Sequence, residues 1–234
     1  MSSSGPNSPG TLDASSSAAG GGSSLWSNAS NAGASDNSYA TCSQSNASLG
    51  SFDLKATNFG FSIPGGSTIN GIVVEVERKS SVDSGSNFTR DKLVKLIKGG
   101  SVSGTDKADT STHHPTADAY ATYGGVADLW GLTLTDSDVN ASNFGVCWVS
   151  QNGPSVPPKS GRMVSVDHIR ITVYYTAGGA AGQPTSKRFG GVPFMGAHGS
   201  GLQAPVRQWI RRAAGLLTPQ FATTQIWRPA HGID

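Results

Sequence analysis

The sequence predicts an all-β fold: an antiparallel β-sandwich, jelly-roll-like, with an extended N-terminal arm and a C-terminal tail containing one short amphipathic helix. Three observations predict it. From Trp26 to Tyr175, short apolar alternations recur between Gly, Asn and Pro turn residues, the pattern of strands that bury one face. Charged residues make up 14% of the chain, against ~25% in ordinary globular proteins, which excludes a coiled coil, a charged helical bundle and a highly charged disordered chain. Glycine supplies 31 of 234 residues, nearly twice the usual ~7%, and glycine favours turns over helix interiors. A jelly roll is the economical topology, because its two sheets share one core and leave few exposed edges.

Residues 1–24 contain nine serines and five glycines, and Leu12 is their one large aliphatic residue beyond Met1. Such a composition buries too little to offset ordering entropy. The segment therefore reads as a linker or as an arm that orders on a partner, with the sandwich expected over 25–176. Its clearest strand is Ile72-Val73-Val74-Glu75-Val76-Glu77-Arg78, with Ile72, Val74 and Val76 on one face and Glu75 and Glu77 on the other. Pro64-Gly65-Gly66 and Asn70-Gly71 before it are turn signals. Phe59, Phe61 and Ile63 share a face in the preceding run, and 93–98 is a strand ending at Gly99-Gly100. Later, Phe144, Val146 and Trp148 alternate with Gly145, Cys147 and Val149. The last strand directs Ile169, Ile171, Val173 and Tyr175 inward, with His168, Arg170, Thr172 and Tyr174 outward. A faint internal echo links Ala56-Thr57-Asn58-Phe59-Gly60-Phe61 to Ala141-Ser142-Asn143-Phe144-Gly145-Val146, one turn-into-strand solution used twice. Cys42 and Cys147 read as buried thiols in strands, able to bridge only if their strands are neighbours.

Beyond the sandwich, 177–203 is a Gly/Pro-rich linker and 204–234 a basic segment. The charge divides with it. Residues 1–177 carry 11 basic against 14 acidic side chains, whereas 178–234 carry six basic side chains against Asp234 alone. Over 204–217, Val206, Trp209, Ile210, Ala213 and Leu217 keep helical spacing, with Arg207, Arg211 and Arg212 opposite them, so an amphipathic helix is expected. Pro205 suits its first turn and Pro219 stops it. A basic amphipathic helix can meet a membrane surface, a nucleic acid or a protein. Its apolar neighbours favour protein, with Phe189, Phe194, Met195, Trp209, Ile210, Arg211, Arg212, Phe221 and Trp227 as the partner-anchoring residues.

No motif of a known catalytic or nucleotide-binding class occurs, and neither cysteine belongs to a C-x-x-C pair. No catalytic, metal or cofactor residues are therefore assigned. His113-His114-Pro115 reads as an exposed polar loop. Asp136-Ser137-Asp138-Val139-Asn140 opens like a calcium loop but has Ala141 at its sixth position and Cys147 at its twelfth, where glycine and glutamate are required; it reads as a capped turn. Trp130, Tyr120 and Tyr123 lie in a loop-rich stretch and form a candidate glycan platform, the competing reading being that Trp130 plugs the end of the core. No apolar run reaches the ~18 residues of a membrane span, and the N-terminus lacks the basic and apolar regions of a signal peptide.

The text from 54 to 175 resembles a module of virion structural proteins of tailed bacteriophages and prophages. The resemblance lies in Ala56-Thr57-Asn58-Phe59-Gly60-Phe61-Ser62-Ile63-Pro64, Ile69-Asn70-Gly71-Ile72-Val73-Val74-Glu75-Val76-Glu77-Arg78-Lys79 and Val94-Lys95-Leu96-Ile97-Lys98-Gly99-Gly100. It continues in Tyr123-Gly124-Gly125, Asp128-Leu129-Trp130-Gly131 and Val166-Asp167-His168-Ile169-Arg170-Ile171-Thr172-Val173-Tyr174-Tyr175. It covers about half the chain, departs around His113-His114-Pro115, and implies no catalytic residue. What it implies is a non-enzymatic subunit of the virion, a capsid decoration or a tail- or neck-associated protein, assembled in the bacterial host cytoplasm. Its partners would be other virion proteins and copies of itself, with neither nucleic acid nor a membrane span. The alternative function is a carbohydrate-binding module for host-surface attachment.

Overall fold

The computed structural model describes residues 1–44, 49–153 and 161–178. In chain order the strands are β1 (Ser2–Asn7), β2 (Thr11–Asp13), β3 (Trp26–Ser27), β4 (Ala40–Gln44), β5 (Leu54–Thr57) and β6 (Thr68–Ser80). They continue with β7 (Thr89–Lys98), β8 (Ser101–Ser103), β9 (Ala119–Gly124), β10 (Gly145–Asn152) and β11 (Arg162–Thr176). A 3-10 turn at Ala29–Ala32 and the short helix α1 (Asp136–Asn140) are the helical elements among the described residues.

Two antiparallel sheets result. One runs β3-β4-β11-β6-β9, with β1 paired to the far half of β11; the other runs β2-β5-β10-β7-β8. From β4 to β11 each step along the chain crosses to the opposite sheet, except the tight β7–β8 hairpin. The orders β4-β11-β6-β9 and β5-β10-β7-β8 are those of a jelly roll, two Greek keys wrapped around one core.

Strand alternation builds that core. Ile72, Val74 and Val76 of β6 and Ile169, Ile171 and Val173 of β11 are fully buried. They pack in one cluster with Val94 and Leu96 of β7, Val146 and Trp148 of β10, and Leu54 and Ala56 of β5. Phe59, Phe61 and Ile63 are buried too, although their segment lies outside any strand. Strand β10 is apolar on both sides because its outer face is also covered: Leu93, Ile97, Cys147 and Val149 form a second, smaller cluster under Ala19 and Val102. Cys42 and Cys147 belong to different sheets and are free buried thiols, each pushed up to about 12 by burial.

The N-terminal arm departs from expectation. Residues 1–24 neither form a linker nor wait for a partner; they are sheet and cover of the sandwich itself, which therefore begins at Ser2 rather than at residue 25. Composition misled because the arm is held by backbone pairing rather than by burial. Ser2, Ser3 and Ser4 pair with Tyr175, Tyr174 and Val173, and Thr11, Leu12 and Asp13 pair with Thr57, Ala56 and Lys55. Side chains pin it further. The Asn7 amide donates to the Phe59 carbonyl at 2.9 Å, and the amides of Ala19 and Gly20 donate to the buried Asp53 carboxylate at 3.0 and 2.8 Å. The expected linker beyond Gly178, the helix at 204–217 and the anchors Phe189, Phe194, Met195, Trp209, Ile210, Arg211, Arg212, Phe221 and Trp227 lie outside the described residues.

Candidate functional site

Two of the three residues expected to form a glycan platform are core residues. Trp130 is fully buried and Tyr123 is 5% exposed. Trp130 turns inward because it occupies the left-handed region at φ 58°, a conformation costly for a bulky residue. Its amide donates to Asp128 Oδ1 at 2.7 Å, its carbonyl accepts from the Thr105 amide at 2.7 Å, and its indole Nε1 donates to the Ile72 carbonyl at 3.0 Å. The indole lies against Gly124, where a Cβ would come within 2.5 Å of Nε1. Trp130 thus plugs the end of the core, and the platform is corrected accordingly.

Tyr123 leads into a buried polar cluster that sequence reading missed. Its hydroxyl donates to Asp91 Oδ2 at 2.7 Å. Asp91 Oδ1 accepts from His114 Nε2 at 2.9 Å and Trp148 Nε1 at 3.1 Å, with Arg78 Nε 3.5 Å away. Asp91 and His114 are both fully buried, so His114 is not part of an exposed loop; only its neighbour His113 is partly open, bonded to Asp83 and stacked on Phe88. Burial pulls the Asp91 pKa upward, yet His114, Arg78 and Tyr123 outweigh it and leave it below the ordinary carboxylate value. His114 is lowered, chiefly by burial. A neutral imidazole donating from Nε2 and accepting from Thr89 at Nδ1, 3.0 Å away, satisfies both nitrogens.

A one-residue bulge brings Asp91 inside. Leu93 faces Val149 but Asp91 faces Ser150, so Lys92 is the extra residue in β7. Continued alternation from Leu96 and Val94 would have placed Lys92 inward and Asp91 in water; the bulge exchanges them. The charge at 91–92 had concealed this half of the strand, and the signal that could have found it is Thr89-Arg90-Asp91 opposite a polar Ser150-Gln151-Asn152.

The outer face of the β4-β11-β6-β9 sheet carries the third platform residue. Tyr120 sits across from Glu77, which sits across from His168. The Arg170 guanidinium lies over the Tyr120 ring at 4.0 Å and forms a forked pair with Glu75, both bonds 2.9 Å. His168 bonds Tyr120 through Nδ1 at 2.9 Å and Ser8 Oγ through Nε2 at 2.8 Å. Hydroxyl, imidazole and orienting group share hydrogen-bond spacing with nucleophile–base arrangements. The orienting group here, however, is a phenol rather than a carboxylate, and burial together with Arg170 lowers the His168 pKa. The two hydrogen bonds of His168 tie the β1–β2 junction, through Ser8, to Tyr120 of β9. Lys79 over the Tyr39 ring at 3.7 Å and its 3.0 Å pair with Asp118 extend the same polar face.

The calcium-like segment became α1, where Thr135 and Asp138 form a capping box and Asp138 also meets Lys98 at 3.3 Å. Among the described residues no group of three or more His, Cys, Asp or Glu side chains is placed to hold a metal ion, and no helix is long and apolar enough to cross a membrane.

No family model and no curated protein matches the chain. Among solved structures it is similar to the N-terminal cellulose-binding domain of β-1,4-glucanase C from Cellulomonas fimi. Identity is 12% and the TM-score 0.30, over 67% of this chain and 85% of that one.

Proposed function

We propose that this chain is a non-catalytic structural subunit of a tailed-phage virion, with a jelly-roll body and a C-terminal segment that fastens it to neighbouring subunits. The observation that carries this reading is where the chain leaves the body. Strand β11 ends at Thr176 beside the N-terminus, since Ser2 pairs with Tyr175. A basic, apolar segment of sequence departs from that one corner. The body satisfies its own apolar residues: among the described residues the exposed large hydrophobic side chains are Met1, Leu25, Leu49, Val126 and Met163, spread along the chain. In this reading Phe189, Phe194, Trp209, Ile210, Phe221 and Trp227 are the anchors, and each contributes roughly 1.5–3 kcal/mol when fully buried against a partner. The resemblance of 54–175 to phage virion modules supports the choice of assembly. Electron cryomicroscopy of particles carrying the protein tests it: jelly-roll density at the surface with 177–234 running between neighbours is the expected result. Absence of the chain from purified particles would overturn the reading.

A further inference from the structure

The two echoed sequence patterns meet in space. Strands β5 and β10 pair with Thr57 opposite Gly145, which brings Ala56-Thr57-Asn58-Phe59-Gly60 against Ala141-Ser142-Asn143-Phe144-Gly145. In both copies the phenylalanine enters the core, Phe59 at 4% and Phe144 at 0% exposure. The hydroxyl and amide that precede it stay at the surface. Thr57, Asn58, Ser142 and Asn143 thus line one groove of about 500 Å³ on the outer side of the second sheet.

The register explains the groove. A row crosses the sheet as Thr11, Thr57, Gly145 and Ile97, and the groove opens beside it where Thr11, Thr57, Asn58, Ser142 and Asn143 meet. Glycine at 145 lets β5 and β10 approach there, since a Cβ would lie 1.9 Å from the Ala56 carbonyl oxygen. The N-terminal arm gives the groove a wall. Gly10 donates its amide to the Asn58 carbonyl at 2.8 Å and supports Asn58 at φ 60°, a left-handed conformation that asparagine tolerates.

The groups lining it define the ligand. Among the described residues, the side-chain amides of Asn58 and Asn143 and the hydroxyls of Thr57 and Ser142 make no hydrogen bond within the chain. Each side-chain amide presents a donor and an acceptor side by side, the complement of two adjacent hydroxyls. Asp13 and Lys55 are opposite each other in the register, so the groove carries no net charge and favours neither a phosphate nor a cation. We propose that it binds a neutral polyhydroxylated ligand, a short segment of glycan, with hydroxyls on the two Ser/Thr-Asn pairs. This site lies apart from Trp130, Tyr123 and Tyr120, and it does not depend on the assembly reading.

Calorimetric titration of the full chain with six-residue oligomers of glucose, mannose and N-acetylglucosamine tests it, with a galacturonate hexamer as charged control. At least one neutral oligomer is expected to give a saturable isotherm. Asn143→Ala and Ser142→Ala should each weaken it tenfold or more at unchanged melting temperature, whereas Met163→Ala on the other sheet leaves it unchanged. Should either variant unfold, the side-chain amide resonances of Asn58 and Asn143 in the unmodified chain decide, since they must shift on titration. No saturable binding of any neutral oligomer, preference for galacturonate, or binding that survives both groove variants would overturn the site.

Discussion

Asp91 is a carboxylate without water, and the donors of His114, Trp148, Tyr123 and Arg78 stand in for its hydration shell. Removing it leaves the buried Arg78 guanidinium without its counter-charge, and breaking such a pair costs about 3–5 kcal/mol. Asp91→Ala should therefore lower the urea midpoint by that equivalent, and an unchanged midpoint would contradict the role given to the cluster. The pH response follows from the same groups. His114 and His168 both have folded pKa values lowered by burial, so their neutral forms stabilise the fold fully above the unfolded value of ~6.5, and this is lost as pH falls below it. Asp91, also lowered, contributes above the unfolded value of ~3.9 and loses that contribution as pH falls through its folded value. Thermal melts should thus decline from pH 7 to pH 5 and again below pH 4; a flat profile between pH 7 and pH 5 would contradict the buried neutral histidines.

Elements differ in how much of them the sequence reveals. The middles of β6 and β11 were legible, because Ile72, Val74, Val76 and Ile169, Ile171, Val173 bury as alternation requires. Both strands run further than expected, and Asn70-Gly71, expected as a turn, lies within β6. The first part of β7 was not, because a bulge at Lys92 inverts the alternation that reading relies on. β1 and β2 were illegible for a different reason. A serine-rich strand held by backbone bonds has no apolar period to read, and the edges that receive it, on β11 and β5, exist only after folding. Of the candidate site, the echo at 56–61 and 141–146 was visible as text, but its convergence required the β5–β10 register. Trp130 was ambiguous because a loop tryptophan reads alike whether it faces water or the core. A chain starting at residue 25 would uncover Leu93, Ile97, Cys147 and Val149 and leave both edges unpaired. Its urea midpoint should fall well below that of the full chain, by at least 2 kcal/mol equivalent for roughly two apolar side chains re-exposed; an equal midpoint would restore the arm to the status of a dispensable linker.

At the scale of the whole molecule, charge and composition divide the chain at the same place. The jelly-roll body is mildly acidic and closes over its own core, while the sequence that follows it is basic and rich in large apolar residues. Burial of that segment between neighbours is the central claim, and a competition experiment reaches it most directly. Full-length chain and a chain ending at Thr176 are co-expressed during particle assembly at equal levels, and their ratio in purified particles is read by mass spectrometry. The account expects the shortened chain, still folded by circular dichroism, at below about a tenth of full-length occupancy, since losing even one buried anchor of ~1.5 kcal/mol shifts an equilibrium about tenfold. Equal occupancy of the two chains would contradict it.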